Sequence, residues 1–470
     1  MKRILFTVII LFFVSFQVTA QSVNEIDQEK IAAIDSYIRE IMDKKKIPGL
    51  VYGVFDENSI LLTKPYGLAD LQNQAPVREH TVFELASITK QFTASAILIL
   101  QQDGKLNIND PLHKHFPECP ESWNQITIKH LLTHTSGLTG SDDYPGINDM
   151  TGERVRKEYA NWSKQFLIDA LIKHEPQHPP GEVFHYSDPG YALLGLVIDN
   201  ITGSYREFME DRIFKPLEMN STYLVDQRTV HPFEARGYSL KDGEHINIRR
   251  YHNIEIPSWF GVFSNIPDLQ KWDAALNSNL ILDEKSKELL WHNYTLNNGE
   301  AIGYGLGWFH IKLGGYNFMQ HGGITGTDWI KFPTDHFSVV LLTNLGFNGA
   351  DQVEMRGITN GIAQILGYNV AVNSDYVTNS GLRIIPITKD LEKNLIGEYT
   401  LTADWGNGTG KIYKIDHKLY LSLMGFTFEI GLLENGDLIQ FGLPFEDILV
   451  PKDNYSKLLF TDGSELIKQN

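Results

Sequence analysis

Between Phe83 and Gln102 the chain carries a stretch that a solvated helix cannot accommodate. Phe92, Ala96, Ile97, Ile99 and Leu100 spread over most of the surface of the helix that this spacing predicts. A helix that is apolar nearly all round must be buried. The chain must therefore supply packing layers on more than one side of it. Gly104 stands where the helix would stop.

The remaining patterns indicate those layers. Ile31, Ile34, Ile38 and Ile41 predict an amphipathic helix from Gln28 to Lys45, stopped by Ile47-Pro48-Gly49. Leu50–Phe55 and Ile60–Tyr66 read as paired strands. From about Leu106 to Asn298 the chain reads as mainly helical, with Pro- and Gly-rich loops such as His178-Pro179-Pro180-Gly181. Short strands return at Gly305–Leu313, Tyr316–His321, Asp328–Pro333 and Phe337–Thr343, and Gln352–Leu366 reads as a closing helix. Strands at both ends of a helical middle predict an α+β fold: an antiparallel sheet flanked by helices, with a helical subdomain beside it. Beyond a linker at 369–390, short strands with turns at Glu434-Asn435-Gly436 and Asp462-Gly463 predict a small all-β domain over 391–470.

The N-terminus reads as a secretory signal over residues 1–20. Lys2 and Arg3 precede an apolar run from Ile4 to Phe16, and Val18-Thr19-Ala20 offers a small-residue cleavage pattern. That run is short of the roughly 20 residues a membrane-spanning helix needs. The expected mature chain starts at residue 21, its main domain runs to 368, and it is exported, periplasmic or secreted, with no stable membrane span. A net charge of -17 excludes the electrostatics of nucleic-acid binding. Cys119 is the single cysteine, so no intrachain disulfide forms. It sits between Pro117 and Pro120 with no neighbour to activate it as a nucleophile.

Three short segments carry the chemistry. Ser87-Ile88-Thr89-Lys90 puts an amine one helical turn from a hydroxyl, at the edge of the buried helix. Burial lowers a lysine pKa and makes proton acceptance feasible, and a bare serine needs such a neighbour to attack a carbonyl. Tyr186-Ser187-Asp188 precedes an apolar helix, and a phenol there can shuttle a proton. His321-Gly322-Gly323-Ile324 ends a strand, and its glycines let another backbone approach closely. A backbone N–H there, opposite that of Ser87, can hold an oxyanion. Each segment has a bland alternative: a capping serine with a surface lysine, a packed loop tyrosine, a turn histidine.

In this order the three segments resemble the S-x-x-K, Y-x-N and K-T-G signatures of serine β-lactamases and penicillin-binding proteins. The branch they are most similar to contains class C β-lactamases, D,D-carboxypeptidases, D-aminopeptidases and esterases. Ile47-Pro48-Gly49, His130 to Leu138, Gly190 to Gly195 and Tyr304 to Trp308 resemble the same branch. The resemblance covers about Ile31 to Leu366, and the tail resembles lipocalin-like appendages more loosely. It implies an exported serine hydrolase with Ser87 as nucleophile and Lys90 and Tyr186 as proton carriers. The Ser87 and Ile324 backbone N–H groups form the oxyanion hole, and His321, Gly322, Gly323 and Asp188 line the substrate. The acyl donor is an ester, amide or lactam, small or peptidic, of cell-wall origin among the options. No metal or cofactor is implied.

Two positions depart from the pattern. Asp188 stands where Asn is usual, and an ionised Asp only accepts hydrogen bonds. His321 stands for Lys and weakens the positive charge available to a substrate carboxylate. A catalytically weak peptide- or peptidoglycan-binding protein is the competing reading. A metal pair at His130 and His134 lacks the glutamate of H-E-x-x-H, and no G-x-S-x-G supports an α/β-hydrolase. The oligomeric state stays open.

Overall fold

The computed structural model describes residues 26–57, 59–138, 162–226, 228–247, 254–313, 316–346, 358–368, 370, 384–402, 408–415, 418–423, 426–441, 447–460 and 465–469. The expected signal segment and residues 352–357 of the closing helix lie outside them.

A seven-stranded antiparallel sheet organises the main domain. Its strands are β1 (Gly49–Phe55), β2 (Ile60–Asp70), β3 (Ala75–Pro76), β9 (Phe309–Leu313), β10 (Tyr316–Gly323), β11 (Thr327–Phe332) and β12 (Phe337–Thr343). The order is β3-β2-β1-β12-β11-β10-β9, so the two ends of the domain sequence meet where β1 pairs with β12, Leu50 opposite Thr343. The short strands β5 (Tyr223–Leu224), β6 (Tyr238–Lys241), β7 (Glu244–Asn247) and β8 (Val262–Ser264) lie in the span read as mainly helical, and with β4 (Phe83–Glu84) they form two smaller sheets.

Both central strands are buried along their whole length. Alternation decides which core each side chain enters. Val51 and Phe55 of β1, with Val340 and Leu342 of β12, face the core built around the helix Thr89–Gln102. Leu50, Tyr52 and Val54, with Val339 and Leu341, face the opposite core, closed by Ile34 and Ile38 of the helix Gln28–Lys45 and by Ile358 and Ile362 of the helix Ile358–Leu366. Asp27 caps the first of these helices by accepting from the Glu29 N–H. A buried ion pair ties the helix Ile266–Asn277 to the sheet: Asp273 accepts from Lys331 Nζ at 2.9 Å and from Ser338 Oγ at 2.6 Å.

Two elements differ from their expected bounds. The buried helix begins at Thr89, not Phe83. Phe83–Glu84 pairs with β8, and Ala86 takes a φ of 46°, turning the chain through a 3₁₀ segment at Ala86–Ile88. The strand expected from Gly305 begins at Phe309. Gly303 and Gly307 have φ of 64° and 79°, and Gly305 N donates to the Trp308 carbonyl in a turn.

In the C-terminal region, within the span read as a linker, Ile384–Ile385 pairs with Phe426–Leu433, and Thr388 caps a helix at Lys389–Leu395. Eight strands from Gly397–Thr402 to Glu465–Lys468 then pair each with the next in sequence. The last returns to the first, closing an up-and-down barrel with no free edge. Tyr399, Leu401, Ile412, Leu421 and Leu449 fill its core. Leu433 and Ile439 share an apolar cluster with Phe318 and Phe332 of the main domain.

Candidate active site

The site begins with the turn that presents Ser87. Ala86 is in the left-handed region, which costs a residue with a side chain free energy unless its surroundings fix it. Here they do. Leu85 N donates to the Val262 carbonyl at 2.9 Å, Thr325 Oγ1 donates to the Glu84 carbonyl at 2.8 Å, and Thr327 Oγ1 donates to the Leu85 carbonyl at 3.0 Å. β10 and the turn after it are thereby docked on the segment before Ser87. Gly323 makes this docking sterically feasible: a Cβ there would lie 2.4 Å from Leu85 O and 2.3 Å from Thr327 Oγ1. This contact brings the His321-to-Ile324 segment to the nucleophile.

Lys90 projects from the first turn of the helix and is fully buried. Its Nζ has three partners: Ser87 Oγ at 3.1 Å, the Trp259 carbonyl at 3.1 Å and Asp188 Oδ1 at 2.7 Å. Burial pushes the Lys90 pKa down, and the Asp188 charge and hydrogen bond push it back up. Trp259 O and an ionised Asp188 can only accept. In the neutral amine, N–H groups directed at these two acceptors would leave the lone pair for the Ser87 hydroxyl. In the ammonium the third N–H faces it. Either way the proton-exchanging position points at Ser87.

Tyr186 is half-buried and places its ring 4.8 Å from Lys90 Nζ, with Phe309 stacked on it at 6.1 Å and 14°. Ser187 caps the helix Asp188–Thr202 by accepting from Gly190 N at 3.1 Å, and Pro189 follows in its first turn. Asp188, read from sequence as lining the substrate, has its carboxylate on Lys90, with its side chain 13% exposed. His321 is buried. Its Nδ1 lies 2.9 Å from the Gly322 carbonyl, which fixes Nδ1 as donor, and Nε2 lies 3.3 Å from Tyr304 Oη. Gly322 and Ile324 are half-buried beside it.

Sequence reasoning missed three members of this site: the Trp259 carbonyl, Tyr304 and His134. Each contact joins residues far apart in the chain. His130 and His134, four residues apart, serve different backbones: His130 Nδ1 accepts from Thr127 N and His134 Nδ1 from Ser187 N. Cys119 is half-buried, and burial pushes its thiol up to about 12, which keeps it protonated.

A hydroxyl at a strained turn, a buried amine in contact with it and a phenol over that amine, beside a two-faced antiparallel sheet, make up a fold and site of the β-lactamase and penicillin-binding-protein type. Residues 34–361 match the β-lactamase family, and the chain belongs to it. Protein flp of Staphylococcus aureus strain MW2 is 31% identical over 327 residues, 66% of this chain, and the chain spans 62% of that relative's length. Penicillin-binding protein 4* of Bacillus subtilis strain 168 is 31% identical over 303 residues, covering 60% of this chain and 63% of that protein. Among solved structures, an octameric penicillin-binding protein homologue from Pyrococcus abyssi superposes with a TM-score of 0.62 at 24% identity, covering 93% of this chain and all of its own. A D-stereospecific amidohydrolase from Streptomyces sp. gives 0.58 at 25% identity, covering 68% and 96%.

Proposed function

We propose that the protein is an exported acyl-transfer hydrolase that takes esters or amides through a covalent acyl-Ser87 intermediate. The observation that carries this is the 3.1 Å contact between Lys90 Nζ and Ser87 Oγ, with Lys90 fully buried and its other two partners acceptors only. In this reading the Lys90 lone pair takes the Ser87 proton as Oγ bonds to the carbonyl carbon. The Ser87 and Ile324 N–H groups hold the oxyanion. Tyr186 gives a proton to the leaving oxygen or nitrogen and recovers one from the attacking water, and Lys90 returns its proton to the departing Ser87 oxygen, which releases the acid and restores the Ser87 hydroxyl and the neutral amine.

Two features favour esters and simple amides over lactams. Asp188 offers no N–H to an acyl carbonyl and is paired with Lys90. The His321 Nε2 is turned to Tyr304. The amidohydrolase likeness supports the amide arm. Export rests on the Lys2-Arg3 and Ile4–Phe16 pattern, and among the described residues no helix is long and apolar enough to cross a membrane.

Turnover of p-nitrophenyl acetate and butyrate by the wild type, falling at least about 10³-fold in Ser87→Ala together with loss of labelling by a serine-directed phosphonate, is the expected result. Turnover persisting in Ser87→Ala would refute the assignment. Stable labelling without turnover would favour the peptide-binding alternative.

A further inference from the structure

His134 is a deeply buried titratable side chain of the site that the reaction above does not use; it is 1% exposed. It follows the short helix Ile128–Leu132 and takes a φ of 57°, in the left-handed region. Its carbonyl accepts from His185 N at 2.8 Å, so the two segments are tied backbone to backbone.

The side chain makes a second tie. Nδ1 accepts from Ser187 N at 2.9 Å. A backbone N–H only donates, so Nδ1 carries the lone pair and the neutral ring has its proton on Nε2. Nε2 is buried with no hydrogen-bond partner among the described residues. The ring lies 4.4 Å from that of Tyr186 at 31°, 4.8 Å from Tyr304 at 67° and 5.0 Å from Tyr191 at 33°. One imidazole therefore touches Tyr186 through its ring and Ser187 through its backbone, and the next residue is Asp188. The residues on either side of Ser187 are the two that meet Lys90.

We propose that His134 is a positioning residue: as the neutral, Nε2-protonated tautomer it sets where the Tyr186 ring and the Asp188 carboxylate meet Lys90. The groups around it are Lys90 from the central helix, His185, Tyr186 and Asp188 from its partner loop, Tyr191 from the helix beyond, and Tyr304 and His321 from the sheet side. Burial is the largest influence on its charge, followed by Lys90, His321 and His185, and all disfavour a second cation here. A charged ring would also have to give up its acceptor at Nδ1, releasing the Ser187 N–H. The role rests on the Ser87 hydrolase reading, but the tautomer does not.

Two measurements on the full chain test it. Long-range ¹⁵N–¹H correlation of histidine-labelled wild type should show His134 protonated at Nε2 and unchanged from about pH 5 to 8. An Nδ1-protonated His134, or one titrating in that range, overturns the proposal. His134→Phe keeps a ring and loses the acceptor; His134→Asn loses the ring and keeps an acceptor oxygen near the Nδ1 position. With p-nitrophenyl butyrate, kcat should fall about 10²-fold in the Phe variant with KM within about threefold, and Asn should recover most of it. The limb of the pH–rate profile governed by Lys90 should also move in the Phe variant. A Phe variant with wild-type kcat and pH profile overturns the role. Should that variant fail to fold, the Asn kinetics and the tautomer decide. Turnover persisting in Ser87→Ala would instead remove the hydrolase reading and leave the tautomer result standing.

Discussion

Asp188 Oδ1 and Lys90 Nζ form an ion pair of 2.7 Å beneath the nucleophile, although 98 positions separate them and Asp188 occupies a place where the family resemblance implies Asn. The carboxylate opposes the burial that lowers the Lys90 pKa. Its position beside the Lys90 amine makes it a regulator of that amine's proton affinity.

Asp188→Asn should therefore move the Lys90-governed limb of the kcat/KM pH profile to lower pH, by about 1–3 units, the usual effect of removing an adjacent opposite charge. The sign follows from the raising effect of Asp188. A limb that stays in place or moves to higher pH would contradict the assignment.

Gly323→Ala should separate β10 from the nucleophile turn. The added Cβ meets two oxygens at 2.3 and 2.4 Å and Ala86 Cβ at 3.0 Å, and one of the oxygens belongs to backbone. The expected cost is about 1–3 kcal/mol of stability. Acylation should slow about 10²-fold because the oxyanion donor moves. Burst-phase kinetics and thermal melting check both; an unaltered burst would show that the turn tolerates displacement.

Asp273→Ala leaves Lys331 buried without its carboxylate and removes the acceptor of Ser338 Oγ. Breaking such a pair costs about 3–5 kcal/mol, and replacing both partners by apolar residues of similar size recovers most of it. Urea denaturation of Asp273→Ala and of Asp273→Leu with Lys331→Met measures both. A single-variant loss below about 1 kcal/mol would show that water reaches the pair.

Stability should fall as pH drops from about 6.5 towards about 4. Burial lowers His130 and His310 to about 4 from an ordinary 6.5, and holds His134 well below its ordinary value. A group with a folded pKa below its unfolded one binds fewer protons when folded, so its contribution is intact above the unfolded value and is lost through this window. His310 alone accounts for on the order of 3 kcal/mol, each pKa unit being worth about 1.4 kcal/mol. His310→Gln should flatten the dependence of the urea midpoint on pH.

Much of this molecule is legible in its sequence. The all-round apolarity after Phe92 requires a buried helix, and that helix lies between sheet and helical layers. The Ser87–Lys90 spacing requires a hydroxyl and an amine on one face. The strand runs at both ends of the domain require a sheet closed between them, which is the β1–β12 pairing. Local pattern failed where a distant segment decided the backbone. Phe83–Glu84 opens the stretch that holds the buried helix, but pairing with β8 and the docking of Thr325 and Thr327 on the carbonyls of Glu84 and Leu85 pull it extended.

What the sequence alone determined is what short-range geometry controls: helical and strand periods, capping residues, the one-turn offset of Ser87 and Lys90, and a chain of ordered motifs. The tertiary structure alone decided which groups surround Lys90, that the Tyr186–Asp188 segment hangs from His134, and that Asp188 faces an amine. Those contacts join residues from 53 to 169 positions apart. They are set by how the packed layers meet, and no local spacing encodes them.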